Sequence, residues 1–288
     1  MSASSDTSPN SVLVTGASSG IGQAAALALA ERGWRVFATA RRDEDLARLN
    51  EAGVTAVYLD LDDSASIAAC VETVLTATGG RLEALFNNAA YGQPGAVEDL
   101  SREVLRAQLE TNLLGTHELT CRVLPAMRRQ GGGRIVQNSS VLGLAALPYR
   151  GAYVCSKFAL EGLTDTLRLE LHGSGIHVSL IEPGPITSRF RETAYRAFQA
   201  HIDTAASAHA DTYRAVEARL AGDDGGGRFT LGPEAVVEKL VHALESPRPR
   251  ARYYVTVPTH LFGTLRRLLG TRLLDWLLLR STRDERRL

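Results

Sequence analysis

Short apolar runs alternate along this chain with longer stretches in which apolar residues recur every three or four positions. The runs Ser11–Thr15, Trp34–Ala40, Val54–Leu59, Leu82–Asn87, Arg134–Ser139 and Ile176–Glu182 read as buried strands. Between them, Ile21–Arg32, Asp43–Glu51, Ser64–Thr78, a long Ser101–Gln130 and Ala152–His172 read as helices. Gly33 and Gly131–Gly133 follow helical runs and act as stops. This alternation predicts an α/β fold with a parallel sheet and helices on both faces. Right-handed crossovers make it doubly wound.

Past Pro183 the pattern weakens. Ile186–Leu220 reads as one Ala-rich helical stretch, Ala221–Arg228 as a Gly/Asp loop, Pro233–Leu244 as a capped helix and Tyr253–Val257 as a last strand. Leu261–Leu269 and Thr271–Arg280 read as two Leu-rich helices parted by Gly270, a poor helix former. The expected organisation is a disordered polar start over 1–10, a single domain over 11–258 and a basic, Leu-rich helical tail over 259–288.

Composition narrows the classes. A chain of 288 residues, 44% hydrophobic, can bury one large core. Its 32 basic and 32 acidic residues speak against a globally basic nucleic-acid binder. Cys70, Cys121 and Cys155 are odd in number and widely spaced, without disulfide or zinc spacing, which points to a reducing, cytoplasmic setting. The polar start carries no signal-like apolar stretch, and no run of eighteen apolar residues is present for a membrane span. The seven histidines are scattered without ligand spacing, so no metal is expected.

Candidate chemistry begins at Thr15-Gly16-Ala17-Ser18-Ser19-Gly20-Ile21-Gly22, between the first strand and the first helix. Glycines there let the backbone turn tightly and approach a pyrophosphate, and the helix N-terminus offers free N–H groups to an anion. The second strand ends Ala38-Thr39-Ala40-Arg41. An acidic residue at its end would favour the ribose hydroxyls of NAD. Ala40 stands there instead, and the Arg41 guanidinium suits a 2′-phosphate, although an Arg pair opening a loop can equally be a solvated surface feature. In Tyr153-Val154-Cys155-Ser156-Lys157, residues four apart share a helix face. An ammonium beside a phenol lowers its pKa and equips it for proton transfer. The chain has only two lysines, Lys157 and Lys239, so an ammonium is not its default cation. Alone, however, Tyr-x-x-x-Lys also fits a surface pair.

In order and spacing, these motifs resemble the short-chain dehydrogenase/reductase family over roughly Ser11 to Thr187, about two thirds of the chain. The resemblance implies a Rossmann-type single domain with a helical C-terminal extension and a substrate loop within 185–230. It implies Ser140, thirteen residues before Tyr153, as the hydroxyl holding the substrate oxygen; Ser139 competes, and Ser140 is preferred on spacing. Asn112 resembles the family's helix asparagine, whose carbonyl holds a relay water. The implied cofactor contacts are Gly16, Ser18, Ser19, Gly20, Ile21 and Gly22 of the turn, Arg41, Asp60 with Leu61, Asn88-Ala89-Ala90, Tyr153, Lys157, and Pro183, Gly184, Ile186 and Thr187.

NADP(H) is expected over NAD(H). A looser similarity of Leu147–Ala152 and Ser156–Leu160 to the hydroxysteroid- and retinol-dehydrogenase branch, together with Leu142, Leu144, Leu147 and Phe190, suggests a steroid-, retinoid- or fatty-chain-like alcohol or carbonyl. The resemblance also implies a homodimer or homotetramer paired through the long helices. Two alternatives are a nucleotide-sensing binding protein without turnover, which has no need of the full Ser–Tyr–Lys set, and an isomerase or dehydratase that uses bound cofactor. The tail, with ten arginines against three acidic residues from Arg248 to Leu288, can lie on an anionic membrane or pack its leucines inward with its arginines in water. Packing is the expected arrangement, because short Leu-rich stripes are usually core.

Overall fold

A computed structural model describes residues 9–222, 227 and 229–283. The expected loose start falls mostly on residues 1–8, and the Gly/Asp loop mostly on 223–226 and 228, outside the described residues. Seven strands form one sheet: β1 (Ser11–Val14), β2 (Arg35–Ala40), β3 (Thr55–Tyr58), β4 (Ala84–Asn87), β5 (Gly133–Asn138), β6 (Ile176–Glu182) and β7 (Arg252–Tyr254). All pairs are parallel, in the order β3-β2-β1-β4-β5-β6-β7. The order reverses direction between β1 and β4, where an α/β sheet opens a crevice at the carboxyl ends of its strands.

Side-chain alternation divides the core. Val12, Val14, Phe86 and Val136 face α1 (Gly20–Glu31), α2 (Asp43–Glu51) and α9 (Glu234–Glu245). Leu13, Leu85 and Ile135 face α3 (Ser64–Ala77), α5 (Thr116–Arg129) and the end of α6 (Gly151–Glu170). A period of two on strands buried on both faces gives this three-layer sandwich.

Two expectations change. The long helix is α4 (Arg102–Leu109), a π-helical segment Glu110–Gly115 and α5. The stretch 186–220 is two helices, α7 (Phe190–His201) and α8 (Ala210–Ala221). Between them the Asp203 carboxylate accepts from the amides of Ala205 and Ala206, an Asx turn that competes with helix continuation. Buried Phe198, Ile202, Tyr213, Val216 and Leu220 give this pair a satellite core of its own.

The tail is α10 (Val257–Leu268) and α11 (Thr271–Ser281), with Gly270 between them as expected. Its packing is mixed: Leu278 is buried, Leu265, Leu269, Leu274 and Leu277 are half-buried, and Arg267, Arg272 and Arg280 are exposed. Arg266, although exposed, reaches back to donate to the Leu144 carbonyl at 2.8 Å and lies 4.5 Å over the Phe158 ring. Leu268, Leu273 and Trp276 face outward. No described helix is long and apolar enough to cross a membrane.

Candidate active site

The glycine turn follows β1 at the switch point. A Cβ on Gly22 would lie 2.2 Å from the Gly16 carbonyl oxygen, and one on Gly16 would lie 2.8 Å from the Ala89 Cα. Gly16 also holds φ at +67°, which side chains rarely adopt. The turn is therefore packed so tightly on itself and on Ala89 that neither position admits a side chain. Ser19 precedes α1 without capping it, so the first amides of α1 face the turn without a side-chain acceptor. That combination fits a pyrophosphate.

Thr15 and Asn88 lock the turn. The Thr15 hydroxyl accepts from the amides of Asn88 and Ala89 at 2.8 and 3.0 Å. Asn88 Nδ2 donates to the carbonyls of Thr15 and Gly16. Its Oδ1 accepts from Asn138 at 2.9 Å, tying the β4 end to the β5 end. Sequence reading placed Thr15 in the motif without giving it this role, and missed Asn138. The signal was a polar residue at the end of each strand, a weak mark on its own.

At the β2 and β3 ends, Arg41 is exposed, with its guanidinium 3.8 Å from Asp60. Asp60 also accepts from the Asp62 amide. Leu61 is buried, and its carbonyl abuts Gly115 so closely that a Cβ there would lie 2.0 Å away.

The structure brings Tyr153, Lys157 and Ser140 together. Tyr153 lies in the first turn of α6 and Lys157 one turn on, with Nζ 5.6 Å from the Tyr153 ring centre. Lys157 Nζ donates to the Asn138 carbonyl at 2.7 Å. Ser140, after β5, accepts from the Leu142 amide and hydrogen-bonds Tyr153. Ser139 points away: its Oγ lies where a Cβ on Gly143 would meet both it and Glu161. The geometry thus selects Ser140 from the two candidates.

Burial pushes the Tyr153 phenol up to about 12, with the Ser140 hydrogen bond opposing, and pushes the Lys157 ammonium down to about 8. Lys157 together with an oxidised nicotinamide is expected to lower the phenol; among the chain's own groups burial is the largest influence.

Asn112 lies in the π-helical segment. Its side chain grips Tyr91 in both directions, at 3.1 and 2.8 Å, and donates to Ser156 at 3.2 Å. Such segments gather at functional sites because they displace a helix residue sideways. Here the displaced residue joins the β4 loop to α6.

Pro183 accepts from the Val141 amide. Gly184 presses on Thr256, where a Cβ would lie 2.1 Å from its hydroxyl. The Thr187 amide is bonded to the Leu231 carbonyl, so that amide is spent on holding the segment. Ser188 touches Gly20, Arg189 reaches the Ser18 carbonyl at 3.4 Å, and Phe190 closes edge-on over Tyr153. Leu142 and Leu147 are half-buried beside this mouth, while Leu144 is buried.

Behind Lys157 sits a feature the sequence did not announce. Glu161 and Glu182 are buried, and Arg252 bridges both as well as Asp165. Burial, with Glu161 alongside, pushes the Glu182 carboxyl up to about 8. Cys70, Cys121 and Cys155 are all unpaired, and no metal-ligating cluster occurs among the described residues.

Comparison with known proteins fits this geometry. Residues 10–198 match the family model described as short chain dehydrogenase. The chain is 44% identical over 268 residues to the uncharacterized oxidoreductase YbbO of Escherichia coli K12, covering 93% of each chain. It is 36% identical over 258 residues to human 17-beta-hydroxysteroid dehydrogenase type 1, covering 85% of this chain and 77% of that one. A short chain dehydrogenase/reductase from Burkholderia phymatum in complex with NAD superposes with a TM-score of 0.77 at 28% identity, over 94% of this chain and 95% of that one.

Proposed function

The chain belongs to the short-chain dehydrogenase family of oxidoreductases, and from that premise we propose that it transfers a hydride between NADP(H) and a lipophilic alcohol or carbonyl compound. The observation that carries the reading is the convergence of Ser140, Tyr153 and Lys157 beside a glycine turn at the N-terminus of α1. A bound nicotinamide would supply or accept the hydride at carbon.

The chain's own groups handle the oxygen. Ser140 donates to the substrate oxygen and holds it at Tyr153. In the reducing direction Tyr153 gives up its proton to that oxygen, and a phenol that burial keeps protonated is ready to do so. Lys157, fixed on the Asn138 carbonyl, steadies the phenolate that remains. Asn112 holds the Tyr91 loop and α6 in register and is the group through which solvent protons return. The cofactor contacts are those of the turn, Asp60, Leu61, Asn88–Ala90 and the 183–187 segment.

Arg41, following Ala40, favours the 2′-phosphate; the Burkholderia protein carries NAD, so family membership alone does not choose. Phe190 over Tyr153 and the apolar residues 142–147 support a hydrophobic substrate, as does similarity to a hydroxysteroid dehydrogenase. Exposed Leu114 on the long helix and Leu163 and Leu169 on α6 support a homo-oligomer paired through those helices. Three unpaired cysteines support a reducing, cytoplasmic setting.

The test is NADPH oxidation over a panel of lipophilic ketones and aldehydes, with Tyr153→Phe as control. Turnover that falls about 10²–10⁴-fold in the variant, with cofactor binding kept, is expected. Tight NADPH binding without turnover on any member would favour the sensor reading instead.

A further inference from the structure

We propose that α10 and α11 seat the protein on an anionic lipid surface. The inward face of α10 is already occupied. Thr259 and Gly263 are buried, and a Cβ on Gly263 would lie 2.9 Å from the Tyr254 ring. Arg266, on the same side, is bonded to Leu144. The opposite face carries Val257, Leu261 and Leu268, spaced four and seven residues apart and 61%, 51% and 74% exposed. On α11, Leu273 and Trp276 are likewise exposed, with the Arg280 guanidinium 5.5 Å over the Trp276 ring. This surface has no use in water, and the catalytic reading leaves it unexplained.

Charge decides the occupant. Beside the apolar face, Arg267 and His260 of α10 join Lys239 and Arg250 around a cleft of about 440 Å³ that no acidic side chain lines. Lys239 is paired with Glu238, whereas Arg252 in the same cleft is committed to buried Glu161 and Glu182 and to Asp165. Arg272 is exposed on α11, where the one acidic residue is Asp275. A second copy meeting this face across a two-fold axis would set arginines against arginines. Acidic headgroups reverse that repulsion, while leucines and an interfacial tryptophan enter the acyl boundary. Because Arg266 ties α10 to the Leu144 loop beside Ser140, the docked face would hold the mouth of the active site near the lipid, where an apolar substrate is concentrated.

The test is co-sedimentation of the full chain with phosphatidylcholine vesicles, with and without phosphatidylglycerol, read independently of turnover. Binding to the anionic vesicles at low salt is expected, with little to the zwitterionic ones and a marked loss near 1 M salt, where the Debye length is about 3 Å. Leu268→Ser with Trp276→Ser should weaken binding about tenfold or more. Arg267→Glu, a surface change that leaves the apolar face intact, should weaken it roughly thirtyfold through two units of charge. The proposal is overturned if the chain stays in the supernatant with anionic vesicles at low salt, or if both variants bind like the wild type. It is equally overturned if the chain is a dimer that the Leu268/Trp276 variant dissociates, for the face then belongs to a second copy.

Discussion

Lys157 Nζ donates at 2.7 Å to the backbone carbonyl of Asn138, the last residue of β5, two positions before Ser140. One strand end thereby fixes both the cation and the hydroxyl that flank Tyr153. The distance between them is set by sheet backbone, the least deformable part of the fold, and not by a flexible loop.

This fixes what Lys157→Arg should do. The variant keeps a positive charge, but a guanidinium is planar and wider and cannot occupy a buried site built around one donor to one carbonyl. Activity should fall by at least about 10²-fold, with the dinucleotide dissociation constant rising much less. Steady-state kinetics with fluorescence titration of NADPH checks it; near-normal kcat in the arginine variant would remove Lys157 from the proposed mechanism.

Arg41→Ala should weaken NADPH about ten- to a hundredfold, since charge-assisted hydrogen bonds contribute roughly 1.5–3 kcal/mol, and should leave NADH nearly unchanged. Asp60, 3.8 Å away, already draws on part of that charge, so the lower figure is the better guide. A wild type that binds NADH as tightly as NADPH would show that Arg41 does not select the cofactor.

Glu182 gives a pH signature. Folding raises its carboxyl from 4.5 to about 8, so the folded chain takes up a proton between those values. Stability from this group therefore declines as pH rises from about 4.5 to about 8 and is level above. Lys157, depressed from 10.5 to about 8, acts in the next window: its contribution rises with pH between about 8 and 10.5. Glu182→Gln keeps the neutral shape and should remove the slope below pH 8, leaving the one above it. Thermal unfolding of both proteins from about pH 4.5 to about pH 8 decides; parallel curves would mean Glu182 is ionised in the fold.

Gly22→Ala should abolish dinucleotide binding and lower stability, because the new carbon would sit 2.2 Å from the Gly16 carbonyl oxygen and the turn must open. Gln23→Ala, at the next and exposed position of the same helix, should leave both unchanged. Equilibrium dialysis with NADPH separates the two.

The sheet, the turn and the Tyr153–Lys157 pair were legible because each leaves a local trace: period two, glycines between strand and helix, a four-residue spacing. The choice of Ser140 over Ser139 rests on spacing; in the fold Ser140 lies beside Tyr153 and Ser139 beside Glu161. The π-helical segment was not, since moving one hydrogen bond from i+4 to i+5 leaves the hydrophobic pattern of 101–130 intact. The break at Asp203 hid in an Ala-rich sequence that reads as continuous helix. The Glu161–Glu182–Arg252 cluster joins α6, β6 and β7, a proximity that topology creates and no spacing encodes. For the tail, a helical stripe of leucines says that one face is apolar, not which way it points, and here Leu278 is buried while Leu268 and Leu273 are exposed.

The satellite core of Phe198, Ile202, Tyr213, Val216 and Leu220 has a kinetic meaning. Because α7 and α8 pack on each other and on the 93–99 loop, to which Tyr213, Ser207, His201 and His209 are bonded, these segments can detach as one cooperative foldon while the sheet stays closed. Their amides should then exchange with deuterium together, earlier than those of β4–β6, through an opening whose free energy is smaller than that of global unfolding. Phe190, at the head of that foldon, would leave the face of Tyr153 at each such opening, so passage of substrate to the phenol would be clocked by a local folding equilibrium.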